Sequence, residues 1–425
     1  MKNNRWIMAV VACGAIPPAV ADAVLDWNAT AETAAVAAGG PPLRNRIVAM
    51  SQVAVHDALN AIAPRFETYL PMPAARAGAS LDAAVGAAAY RVLLHEVPSQ
   101  AASLTATYAA RLAALPSCPG AFPDCVEDGI AAGEAAALAI LADRVGDGSA
   151  NPHRPYTLAP GPGVYQPTPP ANAPPQFAGF ATLKPFALRY GAQFRADPSP
   201  IFDLAGEAYT RDFNEVKRVG NVNAEALGDR TPEQSGIARF WPGGGAAVNG
   251  AVARVIVAGR GLDLHEHGRL FAVVSMAVND SAIAAYDSKY TYNFWRPITA
   301  IRNADIDGNA NTTADAGWVP YLPTPPYPDY TCNLPNNVGS GLAAMRLVLG
   351  TDDVPFTFTA AGLPPAVTRS FTTLSQAASE SADARVLAGI HFRDGCLRGL
   401  KQGEQVARFT YEHYLKPLKG RGKGG

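Results

Sequence analysis

Residues 250–301 read "GAVARVIVAGRGLDLHEHGRLFAVVSMAVNDSAIAAYDSKYTYNFWRPITAI". Their apolar side chains recur at helical spacing, which predicts long helices packed on one another. The same spacing recurs in "LRNRIVAMSQVAVHDALNAI" (43–62), "DAAVGAAAYRVLLHEV" (82–97) and "DGIAAGEAAALAILADRV" (128–145). It returns in "LAGEAYTRDFNEVKRVG" (204–220) and "EQSGIARFWPG" (233–243), and near 340–349, 369–390 and 396–415. Alternating strand patterns are few. The expected fold class is all-α, a helical bundle with long Pro/Gly-rich loops.

The chain has 425 residues, of which 48% are hydrophobic and 17% charged, enough apolar material for a sizeable core. A formal net charge of −1 gives no electrostatic case for nucleic acid or for an anionic membrane. "MKNNR", the apolar run "WIMAVVACGAI" and Ala19-x-Ala21 read as a secretory signal peptide cut after Ala21. Cys13 also loosely fits a lipoprotein site, although the apolar run before it is short. The mature protein is therefore expected to be secreted or periplasmic, with no integral membrane segment.

Four cysteines follow the signal: Cys118, Cys125, Cys332 and Cys396. An even count in an exported chain suggests disulfides. "CPGAFPDC" (118–125) is expected to close a local bridge, leaving Cys332 to pair with Cys396. The expected layout is a signal peptide (1–21), a helical part (22–146), a Pro/Gly-rich segment (147–200), a C-terminal bundle (201–415) and a disordered basic tail (416–425). Within the Pro/Gly-rich segment, Tyr156, Tyr165 and Phe177 favour an ordered strap over an interdomain linker.

Two stretches carry candidate chemistry. In "KYTYNFWRP" (289–297), Lys289 and Arg296 would leave one helix face about 10 Å apart. Both suit an oxyanion, Arg as a donor fork and Lys as a point charge. Pro297 marks an expected change of direction. In "ARVLAGIHFRDG" (384–395), Arg385 and His391 lie about 240° apart on a continuous helix. They converge only if the backbone breaks between them, and Gly389 is the expected break.

Weaker features read as structural. "HEH" (265–267) reads as surface, and His56-Asp57 as a buried polar pair. Asp305, Asp307 and Gly308 partly imitate a calcium loop, but Ala314 stands where its closing glutamate belongs, so a plain turn is favoured over a calcium site.

Taken in order, K-x6-R-P, a loop-to-helix join and R-x5-H resemble the vanadium-dependent haloperoxidases and their phosphatase relatives. "DAVLDWNATA", "RTPEQSGIARFWPG", "NDSAIAAYDSKYTYNFWRPITAIRNADIDGN" and "LAGIHFRDG" extend the resemblance over most of the mature chain. It implies a helical bundle of the haloperoxidase/acid phosphatase type. Vanadate, or phosphate in the same site, would be held by Lys289, Arg296, Arg385 and His391, with His391 as the vanadium ligand. The partners implied are a small oxyanion with peroxide and halide, or a phosphomonoester attacked by His391.

The chain departs from the family at the middle motif, usually Pro-Ser-Gly-His at a helix start. One alignment gives Pro335, Asn336, Asn337, Val338, with Asn336 and Asn337 as candidate anion contacts. The other, anchored on the preceding tyrosine, gives Thr331, Cys332, Asn333, Leu334. Neither supplies the acid/base histidine, and His153 in the strap is the candidate substitute from elsewhere. Ala384 replaces the serine usual before Arg385. Three readings stay open: a haloperoxidase-like enzyme impaired by that loss, a phosphatase, or a non-catalytic oxyanion-binding protein.

Overall fold

The computed structural model describes residues 22–244 and 248–419. The expected signal peptide, residues 1–21, lies outside them. Among the described residues there are thirteen α-helices and one β-hairpin, so the fold is the mostly helical one expected.

The N-terminal half is a tight packing of alanine-rich helices. Asp22 caps α1 (Ala23–Ala35) by accepting from the amides of Val24 and Leu25. Helices α2 (Pro41–Ile62), α3 (Leu81–Glu96) and α5 (Cys125–Asp143) pack on one another, with α4 (Ala101–Ala113) against α3. Small residues allow the close approach: a Cβ on Gly133 of α5 would lie 2.3 Å from the Ala84 carbonyl oxygen of α3. The Cys118–Cys125 disulfide closes the loop before α5, as expected.

Helices α6 (Glu207–Val219), α7 (Pro232–Gly244) and α8 (Val248–Val257) lead into α9 (Leu264–Tyr292), the axis of the second half. A helix buried on nearly every side needs apolar residues on every face, and α9 has them, interrupted by buried polar groups such as Asp280 and Lys289. It packs against α2, α11 (Asn333–Leu349) and α13 (Arg393–His413). Its start carries a capping box, Asp263 with Glu266.

The segment 147–200 lies along α9. Phe177, Phe180 and Leu183 pack on Ile283 and Tyr286. The Asp280 carboxylate on α9 accepts from the amides of Phe186, Ala187 and Leu188 at 2.8, 2.6 and 2.9 Å.

Several expectations are corrected. Residues 369–373, expected to be helical, belong to strand β2 (Val367–Thr373), paired antiparallel with β1 (Asp353–Ala360). Cross-strand hydroxyl pairs Thr357–Ser370 and Thr359–Thr368, with Phe356 opposite Phe371, favour the hairpin. Helix α12 (Leu374–Leu387) starts only after it. His265 and His267 are buried rather than on the surface, because the first turn of α9 is covered from both sides. His265 Nε2 meets the Leu59 carbonyl at 3.1 Å, and His267 Nδ1 meets Asp22 at 2.7 Å.

Residues 416–419, assigned to a disordered tail, are tied to the loop after α2. Glu67 donates to the Lys416 carbonyl at 2.8 Å, and Leu418 to the Arg65 carbonyl at 3.0 Å. In the calcium-like stretch, Asp305 is exposed, whereas Asp307 is buried and accepts from Thr312 and the Asn309 amide. The two carboxylates do not share a site, and among the described residues no three His, Cys, Asp or Glu side chains cluster as metal ligands. No described helix is long and apolar enough to cross a membrane.

Candidate oxyanion site

Lys289 sits in the last turn of α9, which ends at Asn293 in the left-handed conformation (φ 52°). The chain then runs extended, with Phe294 bridged to Val164 of the strap. Arg296 precedes α10 (Pro297–Arg302) as its N-cap. The two cations therefore do not share one helix face, as their spacing suggested. They meet because the chain changes direction at Asn293, while Pro297 opens the new helix.

Arg385 lies in the last turn of α12, and the break before His391 falls at Gly389 (φ 78°). Glycine is required there twice over. The φ is left-handed, and an added Cβ would lie 2.2 Å from the Gly220 carbonyl oxygen. The Ile390 amide returns to the Arg385 carbonyl at 3.3 Å, which turns His391 toward the cations. Arg393 pins the start of α13 by pairing with Glu215 of α6 at 2.7 Å and Asp383 of α12 at 2.6 Å.

The third piece is the start of α11. Cys332 is the N-cap, so Thr331, Cys332, Asn333 and Leu334 stand at the helix start. Asn336 and Asn337 lie one turn inside the helix. Asn336 donates to Gln402 at 3.0 Å, and Asn337 accepts from Ser281 at 3.2 Å. These two side chains tie α11 to α13 and α9. Leu334 stands in the first turn of α11. His153 is exposed and turned to the strap, where its Nδ1 accepts from the Phe177 amide at 3.1 Å.

Around His391 the charges are buried and unbalanced. Lys289, Arg296, Arg385 and His391 are all at most 7% exposed. The Lys289 ammonium donates to the carbonyls of Pro328, Asp329 and Thr331. Arg296 donates to the carbonyls of Tyr327 and Ile390 at 2.7 Å each, and its Nη1 also reaches His391 Nε2 at 2.8 Å. A guanidinium can only donate, so Nε2 accepts and the imidazole proton sits on Nδ1. That nitrogen lies 2.9 Å from Asp329 Oδ1, near enough for an ion pair but without hydrogen-bond alignment.

Burial, followed by the charges of Arg296, Lys289 and Arg385, drives the His391 pKa well below its ordinary value. Burial, followed by Arg296, lowers Lys289 to about 7. Burial raises Asp329 to about 8, against the pull of Arg296 and Lys289. The single carboxyl among three cations is thus pushed toward its neutral form. Arg385 Nε is buried without a hydrogen-bond partner.

The charge and the unpartnered Arg385 Nε fit a tetrahedral oxyanion. Lys289 and Arg296 are already engaged by carbonyls, so they would have to exchange those partners for the anion.

Sequence reasoning missed Asp329, whose only signal was its place two residues before the helix-start motif. It also misread Cys332 and Cys396. They are free thiols, both fully buried, rather than a disulfide.

Three comparisons bear on this arrangement. A family profile described as "VCPO second helical-bundle domain" matches residues 269–420. Vanadium chloroperoxidase of Curvularia inaequalis is 28% identical over 142 residues, covering 29% of this chain and 23% of that protein's length. Among solved structures, a bacterial vanadium-dependent iodoperoxidase superposes with a TM-score of 0.75 at 26% identity, over 94% of this chain and 97% of that one. The apo form of a bacterial vanadium-dependent chloroperoxidase superposes with a TM-score of 0.70 at 19% identity, over 88% and 94% of the two chains, a likeness of fold alone. The resemblance to vanadium-dependent haloperoxidases is thus supported in sequence and in fold.

Proposed function

We propose that this haloperoxidase-like chain binds a tetrahedral oxyanion, vanadate foremost, between Lys289, Arg296, Arg385 and His391, and that its peroxidase chemistry is impaired. The carrying observation is the buried imbalance of charge: three cations face one carboxyl, Asp329, whose pKa burial raises to about 8. Uncompensated buried charge is costly, and an oxyanion relieves it.

Vanadate, when bound, would supply activation of peroxide toward halide. Lys289, Arg296 and Arg385 would neutralise the anion's oxygens. His391 is kept neutral, with its Nε2 lone pair available once Arg296 lets go. Asp329 faces the Nδ1 side of the ring. Leu334 moves no proton, so proton transfer to and from the reacting oxygens falls to water. A missing general acid/base costs about 10²–10⁴-fold in rate. The same neutral imidazole, with its Nε2 lone pair, also suits attack on a phosphomonoester, the second reading. Export fits the Cys118–Cys125 disulfide, which needs an oxidising compartment.

The test is isothermal titration with orthovanadate and with phosphate, on the wild type and Arg385→Ala, followed by halide-dependent peroxide consumption and phosphomonoester hydrolysis. We expect vanadate binding that Arg385→Ala weakens at least tenfold, with slow peroxide turnover. Hydrolysis abolished by His391→Ala would favour the phosphatase. Binding of neither anion at millimolar concentration would sink the proposal.

A further inference from the structure

Gln402 lies in the middle of α13 and is only 2% exposed, so its amide must find its partners inside the protein. Its Oε1 accepts from the Thr331 hydroxyl at 2.9 Å and from Asn336 Nδ2 at 3.0 Å. Its Nε2 donates toward the Phe194 carbonyl at 2.8 Å, the Ser288 hydroxyl at 3.0 Å and the Ala284 carbonyl at 3.1 Å. Backbone carbonyls can only accept, which fixes the orientation of the amide. One side chain thus joins α13 to the start of α11, to the C-terminal part of α9 and to the strap.

The backbones of α11 and α13 meet at the same place. A Cβ on Gly399 would lie 2.4 Å from the Cys332 carbonyl oxygen, and one on Gly403 would lie 2.1 Å from that of Asn336. The start of α11 therefore rests directly on α13. Gln402 adds to this contact a set of directional bonds, which fix its register more narrowly than packing does.

Thr331 connects this contact to the cations. Its hydroxyl is held by Gln402, and its carbonyl accepts from the Lys289 ammonium. Ser288, bonded to the other end of the amide, is the residue before Lys289. A hydrogen-bonded chain therefore runs from Gln402 through Thr331 to Lys289, and a second tie runs from Gln402 to the turn of α9 that carries Lys289.

We propose that Gln402 is a positioning residue of the oxyanion site, which fixes the start of α11 relative to the Lys289 ammonium. The inference rests on the oxyanion reading above and names a residue that this reading does not use. Lys289 must exchange carbonyl partners for an anion oxygen. With Thr331 held by Gln402, the start of α11 does not follow the ammonium as it turns. Donors held in place in this way need no rearrangement of their surroundings when the anion arrives.

The experiment is isothermal titration of the full chain with sulfate, a tetrahedral probe, alongside denaturant midpoints for each variant. Gln402→Met removes every bond of the amide at nearly constant volume, and Thr331→Val removes only the hydroxyl. Each should weaken sulfate by about tenfold or more. Thr331→Ser restores the hydroxyl and should bind within about twofold of the wild type. The double variant Gln402→Met with Thr331→Val should lose no more affinity than Gln402→Met alone, because both break the same chain. If Gln402→Met does not fold, the comparison of Thr331→Val with Thr331→Ser still decides. A lower denaturant midpoint with unchanged sulfate affinity would make Gln402 a structural residue only and overturn the proposal. So would losses that multiply in the double variant, or a Thr331→Ser that binds as weakly as Thr331→Val. A wild type that binds neither sulfate nor vanadate overturns the oxyanion reading as well, whereas a wild type that binds and variants that bind equally overturn this inference alone.

Discussion

Arg296 Nη1 donates to His391 Nε2 at 2.8 Å, so the arginine caps the nitrogen expected to meet the oxyanion. It also fixes the ring as a neutral tautomer protonated at Nδ1, facing Asp329. The pair behaves as a latch, since an anion that recruits Arg296 also uncovers Nε2.

This makes His391 spectroscopically distinctive. Its pKa is driven well below the ordinary histidine value by burial and by the surrounding cations. The ring should stay neutral through the pH range in which an ordinary histidine becomes charged. Nitrogen-15 shifts of the imidazole should not titrate in that range, and vanadate should move the Nε2 signal. A midpoint near the ordinary value would refute the tautomer assignment.

Anion affinity should depend on pH through Lys289, which burial lowers to about 7. An anion beside it favours the charged ammonium, so binding takes up a proton above that value. Affinity should be flat below about 7 and fall as pH rises, by up to about tenfold per unit. Asp329, raised to about 8, gains charge over the same interval and acts with the same sign. Sulfate keeps its double charge throughout neutral pH and is the suitable probe. Lys289→Met should make the profile shallower, leaving the part due to Asp329, and an unchanged slope in that variant would remove Lys289 from the explanation.

Gly389→Ala should damage stability and site together. The residue has φ 78°, and the new Cβ would meet the Gly220 carbonyl oxygen at 2.2 Å. Strain of this kind costs about 1–3 kcal/mol, and the clash adds to it. Denaturant midpoints should fall, and orthovanadate binding should weaken even where the protein remains folded. Wild-type stability in this variant would contradict the turn geometry.

Leu334→His tests whether only the proton carrier is missing. Leu334 is partly exposed at the start of α11, so a histidine fits without burying a new charge. Halide-dependent peroxide consumption should rise by about 10²–10⁴-fold over wild type. No gain in a variant that still binds vanadate would mean the frame has drifted too far for this chemistry.

The strap should be releasable at one residue. Asp280 is fully buried and accepts three strap amides, those of Phe186, Ala187 and Leu188. Asp280→Ala leaves these donors without partners, at a cost of about 1–3 kcal/mol each. Hydrogen exchange at residues 186–188 should accelerate far more than in α2 or α3. Uniform acceleration would indicate general destabilisation instead.

The helical spacing of residues 264–292 made α9 legible, because a helix buried all round needs apolar residues on every face. Lys289, Arg296, Arg385 and His391 were also legible as an ordered set, and Gly389 as the break that brings Arg385 and His391 together. The hairpin at 353–373 was not, since its alternation is short and its threonines serve turns and strands equally. Nor were the burial of His265 and His267 or the thiol state of Cys332 and Cys396, which depend on what packs against them.

The sequence by itself determined the helical class, the order of the cationic motifs and the absence of a histidine from the middle motif, because periodicity and residue identity are local properties. Only the tertiary structure decided that α11 begins at Asn333, that Asn336 and Asn337 are internal ties, and that Asp329 and Cys332 stand among the cations. The physical reason is that charge balance and hydrogen-bond satisfaction belong to a volume, and residues far apart in the chain fill this one.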